Sequence, residues 1–470
     1  MRSARETLVR AVRENSALLG DGDGCLTFEF NGPEPRGQRK HASNQPPDAI
    51  MPPIFNALIV GWSCSDDGRD SLVSVLQRSL ALVLEEWPDL AGEIVAPPAD
   101  SPPRTQPTIR PLEGHGSPLT IRDFTGSDSP FPYSYAQLQA QGFPTCKLDG
   151  QLLAPLAGVA TTQRVMAAQA SFIPGGCLLS VGFSHQFADA YGVYLIFEKW
   201  AQHCRQVQGL PAQPAAFPHA PSQPQTSLPP AFQASTGAET RIFSLSAAAQ
   251  ATLKRTASAV SSSSLSPIST NDALVAWIWR TVSKARFPAG RPNAPYRDNS
   301  YVSVAIDGRR PLSVPADYAG NVVFCSMTNM LIHELTNPYT PLGEIAARIR
   351  QETIANRNTS RLKEAVTLAA GIPDVRQPLA NAFPSWFAED LVTTSWVALP
   401  FYQLDFGPAL GTSGRIDTFR MPRGQFAGIC SFQPRADDGS VEIVVGLLAE
   451  QMERLVADPD FRQFATLVSS

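Results

Sequence analysis

Between residues 179 and 204 the apolar pattern changes its period, and the change sets a strand running into a helix around one histidine. Leu179, Val181 and Phe183 alternate with Ser180, Gly182 and Ser184, the period-two pattern of a half-buried strand. Val193, Ile196, Phe197, Trp200, Ala201 and Cys204 then recur at helical spacing as an amphipathic stripe. His185 and Asp189 stand four apart at the junction, within Ser184-His-Gln-Phe-Ala-Asp-Ala-Tyr-Gly192. His185 continues the apolar parity, which predicts an imidazole on the inward face where the strand ends. A histidine pinned there is placed for proton transfer; taken alone, it reads equally as a hydrogen-bonded core histidine.

The remaining composition narrows the field. A formal charge of −4 and a sequence pI near 5.9 give no excess of cations for a polyanion, so nucleic acid is not an expected partner. No apolar run approaches the roughly 18 residues of a membrane span. Met1 to Leu19 reads as a polar helix without the apolar core of a secretory signal, so the expected location is the cytoplasm. The 7 cysteines are scattered, odd in number and without a CxxC, and no two of the 6 histidines have metal-ligand spacing. Buried free thiols are expected, and no metal site.

Proline marks the joints. From Gly209 to Gln233, Pro211, Pro214, Pro218, Pro221, Pro224, Pro229 and Pro230 interrupt a stretch poor in large apolar residues, an extended and semi-rigid crossing. The expected organisation is an N-terminal extension (1–47), a first lobe (48–208), the crossing (209–238) and a second lobe (239–470). In the first lobe, Asp70 to Trp87 has a helical pattern, and Ile173-Pro-Gly-Gly176 suits a type II turn in a hairpin. In the second, Ser269, Thr270, Asn271 and Asp272 precede a helix over Ala273 to Val282. Tyr301 to Ile306 and Val441 to Leu447 read as strands, and Glu450 to Val456 as a helix ended before Pro459. Mixed helices and strands in a bilobal chain indicate an α/β or α+β class.

Several blocks, in order, carry a family likeness. They are Asp48-Ala-Ile-Met-Pro-Pro-Ile-Phe55, Trp87-Pro-Asp-Leu-Ala-Gly-Glu-Ile94, Leu148-Asp-Gly-Gln-Leu-Leu-Ala-Pro155 and the His185 to Asp189 motif. Thr270-Asn-Asp-Ala-Leu-Val-Ala-Trp-Ile-Trp279, Asp307-Gly-Arg-Arg-Pro311, Tyr318-Ala-Gly-Asn321, Thr394-Ser-Trp396 and Asp405-Phe-Gly407 follow. The chain resembles the BAHD acyltransferases with their HxxxD motif, and most of all the fungal branch that includes trichothecene 3-O-acetyltransferase. The resemblance implies an α/β fold of two chloramphenicol-acetyltransferase-like lobes, mixed sheets flanked by helices, and an interlobe channel with the histidine at its centre. It also implies acyl-CoA as co-substrate, no tightly bound cofactor, a small-molecule acceptor and a monomer. Two departures stand out: Ala190 follows the aspartate where glycine is common, with Gly192 two positions on, and Pro408 follows Asp405-Phe-Gly407 in place of tryptophan. Alanine accepts a positive φ poorly, so a reshaped turn is expected at Ala190.

Acyl transfer from a thioester needs a base for the acceptor's proton, a donor for the oxyanion and an acid for the leaving thiolate. An imidazole with a reference pKa of about 6.5 serves both proton roles near neutrality. Three readings compete for Asp189: an ion pair, which the resemblance implies with Arg309 or Arg310 as partner; an N-cap of the next helix; and proton chemistry with His185. The resemblance further implies Thr394 as oxyanion donor, with Ser395 beside it, and Trp396 in the acceptor pocket; ordinary backbone bonds at a strand end are the plain alternative. Ser269 and Thr270, at a helix N-terminus, are candidates for CoA phosphate, against simple capping. Asp405 and Gly407 read as structural, Asp405 as an arginine's partner. The expected function is acyl-CoA-dependent transfer to a hydroxyl or amine of a specialised metabolite by direct attack. The alternatives are another reaction on the same scaffold, such as condensation or an acid/base-assisted cyclisation, and a non-catalytic ligand-binding protein.

Overall fold

Two seven-stranded mixed sheets, each with its own helical cover, build the molecule in the computed structural model. It describes residues 25–27, 54–95, 98, 100–102, 108–111, 119–154, 158–159, 164–216, 237–259, 266–288, 298–371, 389–422 and 427–469. The polar N-terminal helix, most of the proline-rich crossing and the block from Asp48 to Pro53 lie outside those residues. In chain order the strands are β1 (Cys25–Thr27), β2 (Ile54–Ser63), β3 (Gly92–Val95), β4 (Thr108–Pro111), β5 (Leu119–Asp123), β6 (Gly158–Val159), β7 (Met166–Ile173) and β8 (Gly176–Ser184). Then come β9 (Ala238–Leu245), β10 (Asn299–Asp307), β11 (Val323–Leu331), β12 (Leu391–Ser395), β13 (Thr418–Arg420), β14 (Ile429–Phe432), β15 (Val441–Leu448) and β16 (Thr466–Ser469). The first sheet runs β1-β5-β7-β8-β2-β13, with β6 also on β2, and the second runs β11-β10-β12-β14-β15-β9-β16.

The β7–β8 hairpin turns at Pro174 and Gly175, and Gly175 has φ of +82°, the conformation a type II turn demands at that position. β8 lies between β7 and β2 and is buried along its whole length, where one open face was expected. Leu179, Val181 and Phe183 pack in the core with the helices Arg69–Glu86 and Ala190–Val207. Leu178, on the other face, belongs to a separate cluster with Tyr135, Phe143 and Leu153. The alternation reports two buried faces, one apolar and one on which Leu178 stands among small and polar residues.

Contacts cross the expected boundary between the lobes. Trp396, Leu399, Phe401, Leu404, Phe406, Leu410, Ile416 and Phe419 all enter the first lobe's core, and β13 pairs with β2. β1 likewise adds a strand from the supposed N-terminal extension to the first sheet. Fully burying each large apolar side chain of this strap contributes about 1.5–3 kcal/mol, so the strap adds substantially to the first core. Polar anchors fix the strap: Asp417 accepts from Ser63 N and Tyr135 Oη, each at 2.9 Å. Arg420 pairs with Glu442 of β15 at 2.6 Å, tying the first sheet to the second.

The helix Thr270–Arg286 is the centre of the second core, and Trp277 stacks on Phe461 with ring centroids 5.1 Å apart. The helix is longer at both ends than its sequence pattern indicated, while the strands around Tyr301 and Val441 and the helix Ala449–Ala457 fall where expected. Pro459 does stop that helix, and it opens a further short one, Pro459–Arg462, capped by Asp458.

The lobes meet in close contact at Gly192, in the first turn of the helix Ala190–Val207. A Cβ built there would lie 1.8 Å from the Ala319 carbonyl oxygen. Only hydrogen fits between the helix and the 318–322 segment. Gly192→Ala should therefore destabilise the protein by about 1–3 kcal/mol or more, the range for overpacking a filled interior. An unchanged denaturation midpoint in urea would show that the two segments part freely.

Candidate active site

β8 ends at Ser184, and the chain turns at once: Phe187 N and Ala188 N donate to Ser184 O at 2.9 and 3.3 Å. His185 sits in that turn, so its direction comes from the turn and not from strand parity, which corrects the expectation drawn from alternation. Phe187 and Ala188 are wholly buried and anchor the turn in the first core. Asp189 is the N-cap of the helix Ala190–Val207, its Oδ1 accepting from Gly192 N at 2.9 Å. Ala190 is an ordinary first helical residue. Among the described residues only Phe143 and Ser313 combine a side chain with positive φ, so the expected distortion at Ala190 is absent.

Asp189 also holds Arg309 bidentately, Nη1 to Oδ2 at 3.0 Å and Nη2 to Oδ1 at 2.9 Å, both side chains almost fully buried. Val322 N adds a fourth bond, to Oδ2 at 2.9 Å. The ion pair and the cap therefore coexist, and together they fill the roughly four acceptor sites of a carboxylate. That geometry disfavours a proton-carrying role. Arg309 reaches further, to Tyr318 O, Gly320 O and Asp307, and its guanidinium lies 4.5 Å over the Tyr191 ring. Burial opposes its charge, but Asp189 and Asp307 outweigh burial and hold it more firmly protonated than a free arginine. Arg310, the other candidate, is exposed.

His185 is half-buried, with Nδ1 inside and no hydrogen-bond partner for that atom among the described residues. Asn321 Nδ2 donates to the His185 carbonyl at 2.9 Å. Burial pushes the imidazole pKa below its usual 6.5; its own carbonyl, the Asp189 charge and the Asn321 side chain pull the other way and lose. The ring is thus neutral at physiological pH, the state a base requires.

Thr394 is half-buried on β12, and its face can be read from register. Leu391 points into the second core, so Thr394 points away from it. Thr394 pairs with Ser431, and Ser431 with Val444, on the face that also presents Glu442 of β15. Glu442 is the residue paired with Arg420 of the first sheet, so this face looks toward the other lobe. Ser395 follows, exposed at the strand end. Trp396 is 2% exposed in the first lobe's core, tilted against Phe401 and Phe419, so packing replaces the expected pocket wall.

The helix N-terminus at Ser269 and Thr270 is already occupied. Ser269 Oγ accepts from Asp272 N at 3.1 Å, while the Asp272 carboxylate takes Ser269 N at 2.8 Å and Oγ at 2.6 Å. This reciprocal capping box puts a buried carboxylate where a phosphate was expected, so simple capping is the reading the geometry carries. Asp405 lies at the other end of the helix Ala190–Val207, paired with Arg205 and bonded to Gly407 N at 2.7 Å. From Asp189 to Arg205 is about 24 Å at 1.5 Å per residue, so this cluster is structural and remote from His185. Gly407 has φ of +84°, and a Cβ there would meet Gln208, which donates to Phe406 O at 2.7 Å and accepts from Ala409 N at 2.9 Å. Pro408 stands in that turn with no loss of these bonds.

The structure therefore joins His185, Asp189 and Arg309 at one junction, and places Asp405 and Gly407 at the far end of the motif helix. Two residues of this junction had no assigned role in the sequence: Asn321 and Tyr191. Asn321 lay inside the block from Tyr318, and its position in an ordered block was the available signal.

Comparison with known proteins identifies the family. The Transferase family model matches residues 150–462, and the model of the trichothecene 3-O-acetyltransferase-like N-terminal domain matches residues 54–204. An eremophilane O-acetyltransferase from Penicillium roqueforti is 33% identical, over 89% of this chain and 97% of that protein. The trichothecene 3-O-acetyltransferase TRI101 of Fusarium sporotrichioides is 27% identical, over 88% and 94% respectively. The crystal structure of F. sporotrichioides TRI101 complexed with coenzyme A and T-2 superimposes with a TM-score of 0.75 at 25% identity, over 91% of this chain and 98% of that one. The chain with His185 at its lobe junction belongs to the BAHD acyltransferases, in their fungal, TRI101-like branch.

Proposed function

We propose that this enzyme transfers an acyl group, acetyl in the first instance, from acyl-CoA to a hydroxyl of a small specialised metabolite, with His185 as general base. The observation that carries the reading is a half-buried imidazole, biased to its neutral form, at the seam where Asn321 of one lobe bonds the strand end of the other. The names of the relatives, which describe O-acetylation of eremophilanes and trichothecenes, support acetyl transfer to an alcohol. The similar crystal structure, which holds coenzyme A, supports the donor.

In this reading acyl-CoA and acceptor meet at His185 from two mouths of a channel between the lobes. Nδ1 is buried, so Nε2 faces the substrates. It takes the hydroxyl proton as the acceptor oxygen attacks the thioester carbonyl carbon. Thr394 donates to the oxyanion of the tetrahedral intermediate, with Ser395 beside it at the acceptor. Collapse breaks the carbon–sulfur bond, and the imidazolium returns its proton to the CoA thiolate. No covalent enzyme intermediate is needed. Asp189 and Arg309 shape the turn and never exchange a proton. The enzyme works as a cytoplasmic monomer in this scheme.

His185→Ala should lower kcat by about 10²–10⁴-fold while the melting temperature stays near wild type, measured by release of free CoA thiol with acetyl-CoA and an eremophilane or trichothecene alcohol. Retained turnover removes the base assignment; turnover of a pathway intermediate without any acyl donor favours cyclisation instead. Thr394→Ala should cost about 10²–10³-fold in kcat, with Thr394→Ser restoring most of it. Asp189→Ala is expected to differ in kind. It strands a buried guanidinium and should destabilise the fold by about 3–5 kcal/mol in chemical denaturation.

The pH dependence follows from the sign of the His185 shift. The folded pKa lies below 6.5, so kcat/KM should rise with pH along a limb centred below that value. Stability should move the same way: between the folded and unfolded pKa values the unfolded chain binds more protons, so stability falls as pH drops below about 6.5. An activity limb centred above 6.5 would contradict the burial argument.

A further inference from the structure

The segment carrying Asn321 is fixed on both sides. Arg309 Nε donates to Tyr318 O at 3.1 Å and Nη2 to Gly320 O at 2.6 Å. Val322 N is held by Asp189, and Val322 O accepts from Gly308 N at 2.8 Å. Ala319 O is wedged against Gly192 with no room for a methyl group. The ion pair that caps the motif helix thus also sets the backbone around Asn321. Asn321 is 1% exposed, and its side-chain amide crosses the lobe boundary to the His185 carbonyl. That carbonyl and the Asn321 side chain are the neutral groups that bear on the imidazole, beside the charge of Asp189.

We propose that Asn321 is a positioning residue for acyl transfer: by gripping the His185 carbonyl and lying beside the ring, it holds the imidazole in the orientation that presents Nε2 to both substrates. The inference rests on the general-base role proposed for His185 and adds the reason the two lobes must be docked for that base to work. A strand that has just ended leaves its next carbonyl without a ladder partner. A side chain from the other lobe supplies it, so the docked lobes add a constraint on the His185 peptide beyond the turn's own bonds. A purely structural asparagine would contribute stability and leave the titration of His185 where it is.

The experiment compares Asn321→Ala, Asn321→Ser and Asn321→Asp in the full chain, leaving Asp189, Arg309 and Asp307, the charged groups at this junction, intact. Kinetics with acetyl-CoA and an eremophilane alcohol should show kcat for Asn321→Ala down by about 10²-fold, the scale of a misplaced catalytic group, with KM for acetyl-CoA unchanged. Titration of the ¹⁵N-histidine-labelled protein reads His185 directly, its signal identified by its loss in His185→Ala. The midpoint should move down in Asn321→Ala, because the amide favours the protonated ring, and up in Asn321→Asp, which adds a negative charge. Should Asn321→Ala fail to fold by near-ultraviolet circular dichroism, Asn321→Ser is read by the same criteria. Wild-type kcat in a folded variant, or a His185 midpoint unmoved by both Ala (or Ser) and Asp, overturns the inference. If His185→Ala is itself active, the base assignment falls; if His185→Ala is dead while Asn321→Ala is wild type, the positioning role alone falls.

Discussion

One buried ion pair organises the junction on which everything else depends. Asp189 and Arg309 come from segments 120 residues apart and meet with almost no solvent contact. Removing such charges from water is expensive, and the attraction repays it only with near-complete hydrogen bonding. Here the bonding is near complete: Gly192 N and Val322 N satisfy the carboxylate, while Tyr318 O, Gly320 O and Asp307 satisfy the guanidinium. Because each partner also grips backbone of its own lobe or the other, the pair specifies an arrangement of segments as well as an interaction between two groups.

The strap from Trp396 to Arg420 solves a second problem, how to keep two lobes in register away from that pair. It buries aromatic rings in the first core and lends β13 to the first sheet. Its Asp405 and Gly407 end is fastened to the far terminus of the motif helix through Arg205 and Gln208. The helix Ala190–Val207 is thus held at its N-terminus by Arg309 and at its C-terminus by the strap. Pro408 thus lies at the end of that helix away from His185.

Much of the fold was legible because it rests on local chemistry. The hairpin at Pro174 and Gly175, the Ser269 cap and the helix over residues 69–86 follow from turn geometry, capping and periodicity that neighbouring residues determine. The errors came where a distant segment intervened. Alternation along β8 marks two different buried faces, and the strand's own residues do not show that the segment from Phe124 to Leu153 will cover the second one. Trp396 follows Thr394 and Ser395 in the chain, yet the chain turns after β12 and carries it into the first lobe's core. Ser269 and Thr270 are the local exception: Asp272, three residues on, closes the capping box on donors that the sequence leaves open. His185, Asp189 and Arg309 were reachable through ordered motifs; Asn321 was visible only as a letter in one, because its role exists across a lobe boundary.

The electrostatics of the site also explain why the aspartate and the histidine are so near and yet act separately. An unpaired carboxylate beside an imidazole would stabilise the imidazolium and keep the base protonated at neutral pH. Pairing Asp189 with Arg309 offsets that field, and burial then prevails, so the ring stays neutral and ready to accept a proton. In the proposed mechanism, the same buried setting makes the imidazolium a ready proton donor to the departing thiolate. A junction that holds two lobes together thereby also biases the charge state of the imidazole beside it.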